Sequence, residues 1–286
     1  MRSKFALALS VFCVGQPTWA QPASAQQTGD PLTRPIAPEY AQRWLTPQAP
    51  TRIYGNTYSV GFGGLSVVLI DTGAGLVLVD GAVPQSVADV ERNIRQLGFR
   101  VEDIAYILST EPHYDHGGGI AALARDSGAR VVASPEAARA LRNGRIPEDD
   151  PQFGQVPPMP AIADIREISD GETLHLGNTT ITARATPGHT AGSMSWTWSS
   201  CEAETCRDIV FASSINPVSR DGYLFSDPAK SGIVAQFRRS FEAFRAIDCD
   251  ILITAHPDMS GSEPDICRNY AAHYENVLDR RLAEGR

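Results

Sequence analysis

The sequence predicts an α/β protein in which two sheets pack together and helices cover their outer faces. Two observations predict it. Apolar runs of strand length arrive in two batches, over 53–133 and 165–211, and helical periodicity accompanies each batch. The signals also run unbroken through the chain, and the length fits one domain spanning 26–286.

Residues 26–50 are polar and proline-rich and read as an extended arm. Alternation from Ile53 through Tyr58 to Gly61 marks the first strands. Apolar runs at 66–70 and 76–79 follow, and Asp71-Thr72-Gly73-Ala74-Gly75 between them reads as a hairpin turn. Val87, Val90, Ile94 and Leu97 repeat at helical spacing, with Gly98 closing that helix. A strand over 104–108, a helix opened by Gly117-Gly118-Gly119 and a strand over 130–133 come next. Seven glycines and prolines between 143 and 163 rule out regular structure there, and a loop of that length is often functional. Short strands resume over 165–185, 193–198 and 209–211. Val234, Phe237, Phe241 and Phe244 lie on one helical face, a strand covers 251–254, and a last helix starts near Pro264.

The first twenty residues stand apart. Arg2 and Lys4 precede an apolar core from Phe5 to Val14, followed by small-residue cleavage sites near Ala20 or Ala25. This is the anatomy of a secretory signal peptide over 1–20, with cleavage as late as 25, and it implies export to a periplasm. Without Arg2 and Lys4 the balance is 23 basic against 33 acidic residues. No densely basic stretch is present, which argues against nucleic acid or a membrane surface as partner. Four cysteines remain after cleavage, an even number suited to an oxidising compartment. Three pairings are open; the most local joins Cys201 to Cys206 across a short turn and Cys249 to Cys267. A zinc–cysteine site is the rival.

Ser109-Thr110-Glu111-Pro112-His113-Tyr114-Asp115-His116 follows a buried strand pattern and concentrates carboxylate and imidazole groups. Such groups must be solvated, paired or bound to a metal, and zinc accepts this mixture of nitrogen and oxygen donors. His189 sits in Thr186-Pro187-Gly188-His189-Thr190, and His256 in Thr254-Ala255-His256-Pro257, both just past strand patterns. His175 and His273 read as structural or exposed. Asp80 ends the strand over 76–79 before Gly81, where an aspartate is an ordinary strand-end or turn residue.

This order of motifs resembles the metallo-β-lactamase superfamily over nearly the whole mature chain. The resemblance implies an αββα four-layer sandwich of two mixed sheets, with two zinc ions on their shared edge. One zinc would take Glu111, His113 and His189; the other would take Asp115, His116 and His256. Asp80 matches an early aspartate that acts through hydrogen bonds. Ser214 stands where other branches carry a bridging aspartate or a cysteine. Together with the Cys249–Cys267 staple, the Trp44 arm and the Asp149-Asp150-Pro151-Gln152-Phe153-Gly154 loop, it resembles subclass B3. The implied activity is zinc-dependent opening of a small-molecule β-lactam through a metal-bound hydroxide, by a monomer, with Asp115 helping to position the nucleophile. Ser214 and Tyr223 are candidate substrate contacts, and Phe153 and Met159 a candidate apolar rim.

Glu111 departs from the pattern, which normally has histidine there. Zinc accepts a carboxylate, but the change removes one unit of positive charge from the centre. A weaker first zinc site and weaker attraction of anionic substrates are expected. Two alternatives stay open: an exported lactone or thioester hydrolase of the same fold, and an exported metal-binding protein without catalysis.

Overall fold

Continuous apolar runs become strands covered on both faces, as expected when a sheet is sandwiched. The computed structural model describes residues 29–285, so the expected signal peptide lies outside the described residues. The first sheet comprises β1 (Thr51–Tyr54), β2 (Thr57–Ser59), β3 (Val68–Asp71), β4 (Leu76–Val79), β5 (Ile104–Leu108), β6 (Arg130–Ala133) and β7 (Ile165–Glu167), in that order. Pairing is antiparallel from β1 to β4 and parallel from β4 to β7. The second sheet comprises β8 (Thr173–Leu176), β9 (Thr179–Ala185), β10 (Met194–Glu202), β11 (Thr205–Ala212) and β12 (Ile251–Thr254). Only β11 and β12 pair in parallel there.

Strand alternation sorts the core into three slabs. Leu76 and Leu78 face the outer helices α2 (Val87–Gln96), α4 (Ile120–Ser127) and α5 (Pro135–Asn143), while Val77 and Val79 face the second sheet. Ile209 and Phe211 meet them from β11, and Val210 and Ala212 point outward to α6 (Ser231–Ala246) and α7 (Ile266–Ala283). Three apolar slabs separate four layers, which gives the αββα sandwich that the sequence predicts.

Three local readings needed revision. The arm is not simply extended: it forms single turns at Pro31–Thr33 and Gln42–Trp44 around a short α1 (Pro38–Ala41). Asp30 caps the first turn by accepting a hydrogen bond from Leu32 N, with proline in the first helical position. Helix α5 carries its own start and stop, since Ser134 Oγ accepts from Ala137 N and Gly144 has φ +65°. Alanines at the buried positions made its periodicity faint. Within the metal loop, Tyr114–Gly117 is a helical turn, α3.

The most local cysteine pairing is the one formed. Cys201 and Cys206 are directly opposed on β10 and β11, and Cys249, just ahead of β12, is bonded to Cys267 in α7. Among the described residues no helix is long and apolar enough to cross a membrane.

Candidate metal centre

The C-terminal ends of β4, β5, β9, β11 and β12 converge on one edge of the sandwich, and every candidate donor leaves from one of them. Strand β4 ends in Asp80, β5 feeds the 109–116 segment, β9 leads to His189, and β12 leads to His256. Two backbone constraints shape this edge. A Cβ on Gly119 would stand 2.1 Å from the Gly81 carbonyl oxygen, so α4 can start against the exit of β4 only without a side chain. Gly188 has φ +140° and lies against the Phe237 ring, which turns the chain and delivers His189.

The donors form two groups, Glu111, His113 and His189, and Asp115, His116 and His256. Within each group the candidate ligand atoms all lie within 4.8 Å of one another. Every imidazole has one nitrogen engaged from outside and one turned inward. His189 Nδ1 donates to the Asn216 carbonyl at 2.9 Å and His256 Nδ1 to the Gly64 carbonyl at 2.9 Å. His113 Nε2 lies 3.4 Å from Asp150 Oδ2, and His116 Nδ1 lies 3.5 Å from Asp80 Oδ2. Such outer partners fix the tautomer and aim the free nitrogen at a cation.

Two further contacts test whether a cation fits. His113 Nδ1 and His189 Nε2 face each other at 3.2 Å, and in neutral rings anchored this way both atoms carry lone pairs. Glu111 is wholly buried; its Oε2 accepts from Ser214 N at 2.9 Å, while Oε1 has no hydrogen-bond partner. That bare oxygen is 3.2 Å from His116 Nε2 and 3.7 Å from His189 Nε2. Opposed lone pairs and a carboxylate oxygen without a hydrogen bond are costly unless positive charge enters, as a proton on an imidazole or as a cation that displaces it. Gln152 Nε2, 3.2 Å from His189 Nε2, meets only part of that need. The mixed imidazole and carboxylate donor set suits a borderline divalent cation.

Charge balance carries the same message. Burial pushes the His116 imidazole down, but the Asp115 and Glu111 carboxylates outweigh it and lift it to about 10. Burial disfavours ionised Asp115, yet His116 and His256 hold it below the usual carboxylate range. Glu111 is likewise held low by His116 and His189 against the cost of burial. His113 is raised, since its bond to Asp150 overcomes desolvation, whereas burial keeps His189 below its ordinary value. Asp80 is raised by burial despite its bonds to His116 and Thr110.

Asp80 is not among the residues lining the cavity, and its carboxylate is engaged by neighbouring groups. Its carboxylate accepts from Thr110 N at 2.8 Å and Thr110 Oγ1 at 2.6 Å as well as facing His116. Its own φ is +63°, a strained conformation for a residue with a Cβ.

The inward nitrogens floor a cavity of about 930 Å³. Ser214 lines it, but Tyr223 does not: its ring is buried beside Phe225, with the Lys230 ammonium 4.8 Å from its centre. Tyr223 instead backs Arg220, which donates to the Asp150 and Phe153 carbonyls and so steadies the 150–153 turn. The apolar rim also differs from expectation. Met159 is tucked into the core against Gly117, and the loop presents Gln152, Gln155, Val156 and Pro157 to the cavity. His175 and His273 are exposed and belong to neither donor group. Sequence reasoning did not single out Asp150. Its neighbour Asp149 is exposed, and the deciding signal is local: Asp150 Oδ1 caps Gln152 N, leaving Oδ2 for His113.

Paired donor triads at the strand ends of an αββα sandwich define a scaffold for two metal ions. The sequence profile of the metallo-β-lactamase superfamily matches residues 60–256, and the chain belongs to that family. It is 55% identical to a structure described as the first B3 metallo-β-lactamase with an active-site glutamic acid, over 89% of this chain and 98% of that one, with a TM-score of 0.88. The Rm3 metallo-β-lactamase is 42% identical over 87% of this chain and 99% of its own, with a TM-score of 0.83. A hydroxyacylglutathione hydrolase of Acidiphilium cryptum is 28% identical over 65% of this chain and 64% of its own length.

Proposed function

We propose that this protein is a zinc-dependent β-lactamase of the B3 type. The observation that carries the reading is the set of four imidazoles, each tethered on one side and aimed inward on the other, around two buried carboxylates. Glu111, His113 and His189 would hold one zinc ion, and Asp115, His116 and His256 the other. Bound zinc supplies a Lewis acid for the lactam carbonyl and brings the ionisation of water into the neutral range.

The chain's own residues then orient the reaction. Asp115 lines the cavity and stays ionised, so it accepts a hydrogen bond from the attacking water and holds it toward the carbonyl carbon. As the water oxygen bonds to the carbonyl carbon the lactam C–N bond breaks, and the proton the water gives up to Asp115 passes to the freed nitrogen. Asp80 and Asp150 keep His116 and His113 from rotating during turnover. The Trp44 ring, 5.4 Å from that of His256, walls the cavity on the side of the N-terminal arm. Two disulfides support an extracytoplasmic location, and a periplasmic, monomeric single domain from residue 26 completes the proposal.

Hydrolysis of a chromogenic cephalosporin, abolished by a chelator and restored by zinc, is the expected result. Turnover of a lactone or thioester in its place would favour the other hydrolase reading, and zinc binding without turnover the non-catalytic one. Glu111→His tests the first site separately. Zinc titration of this variant is expected to show tighter first-ion binding, at a cost of about 1–3 kcal/mol in stability because Ser214 N loses its carboxylate. An unchanged titration would remove Glu111 from the ligand set.

A further inference from the structure

Among the residues lining the cavity, Arg43 is the one lysine or arginine. Its guanidinium lies 3.7 Å from the centre of the Tyr40 ring and 4.6 Å from that of Trp44, and it makes no ion pair among the described residues. An arginine stacked on two rings keeps its donors free at the edge, ready for a planar anion. The platform beneath it is tied to the metal centre. Gly63 N and Gly64 N donate to the Thr46 and Trp44 carbonyls, and the Gly64 carbonyl is the group that holds His256. Trp44 thus stands between Arg43 and a metal-ligand imidazole.

Charge gives this arrangement a purpose. β-Lactams carry an anionic carboxylate beside the ring nitrogen, whereas Glu111 removes one unit of positive charge from the centre that would otherwise attract it. Asp115 and Asp258 add negative charge to the cavity wall. We propose that Arg43 is the receptor for the substrate carboxylate, replacing attraction that the glutamate takes from the metal centre. The inference rests on the β-lactamase reading and assigns a specificity-determining residue within it. Tyr40 and Val218, 53% and 41% exposed, supply apolar edges at the same mouth for the rest of the substrate.

A paired comparison tests it: a cephalosporin free acid against its methyl ester, with wild-type protein, Arg43→Ala and Arg43→Lys. The acid-to-ester ratio of KM is expected to rise about five- to tenfold in Arg43→Ala, with kcat for the acid little changed, and to recover largely in Arg43→Lys. Added salt should erode the preference for the acid in wild type and not in Arg43→Ala. Calorimetric binding of both compounds to chelated protein gives the same ratio without turnover. Equal losses for acid and ester would assign Arg43 to packing of the arm, and no change in either would remove it from recognition; both outcomes overturn the proposal. Absence of turnover by zinc-loaded wild type sinks the substrate reading itself, whereas turnover with an unaltered ratio sinks Arg43 alone. If turnover is absent, an acid preference in binding that Arg43→Ala abolishes still upholds the anion receptor, and its absence overturns it.

Discussion

Asp80→Ala is expected to destabilise the chelated protein by about 3–5 kcal/mol and to weaken zinc binding about 10- to 100-fold. The carboxylate is fully buried and serves Thr110 N, Thr110 Oγ1 and His116 Nδ1 together. Its removal strands two donors and frees an imidazole to rotate, and the loop from Ser109 to His116 loses its anchor to β4. Asp80→Asn keeps the shape but presents an amide donor to at least one group that itself donates, so it should recover only part of the loss. Denaturant unfolding and competition with a chromophoric chelator measure the two effects. Lost activity with unaltered zinc affinity would show that Asp80 does not act through His116.

Zinc affinity is expected to fall steeply as pH drops. With its imidazole lifted to about 10, His116 carries a proton at neutral pH that the metal must displace, while Asp115 and Glu111 remain ionised and offer none. Below that value each displaced proton costs about tenfold in affinity per pH unit, so about 100-fold separates pH 8 from pH 6. The sign reverses for stability without metal. A group whose folded pKa is raised stabilises fully below its unfolded value, and that contribution disappears as pH climbs toward the folded one. Chelated protein should therefore lose stability between about pH 6.5 and pH 10 on account of His116. Zinc-loaded protein should not lose it. Chelator competition and thermal melts across this range provide the check; pH-independent affinity would mean that His116 is not the proton carrier.

The residues of the centre were legible because donor types recur just past apolar runs, and those runs survive as β5 and β12 with the expected ends. The outer shell was not. Gly64 and Asn216 contribute backbone carbonyls, which no residue type announces, and Asp150 differs from Asp149 only by the turn it caps. Tyr223 matched a plausible pattern, yet the Phe225 and Phe237 core offers its ring more burial than the cavity mouth. In the fold, α5 escaped notice because alanine fills its buried positions, and β10 and β11 run longer than their apolar cores because pairing extends them to Cys201 and Cys206. Where chemistry sits in side chains the sequence speaks; where it sits in backbone geometry, only the fold does.

Each donor triad draws on both halves of the sandwich: residues 111–116 come from the first sheet, while His189 and His256 come from the second. A bound ion is thus also a rivet through the Val77–Phe211 slab, resisting any slide of one sheet over the other. With a metal held there as proposed, its withdrawal is expected to loosen the body of the molecule along with its chemistry, so the melting temperature should fall as the metal is removed.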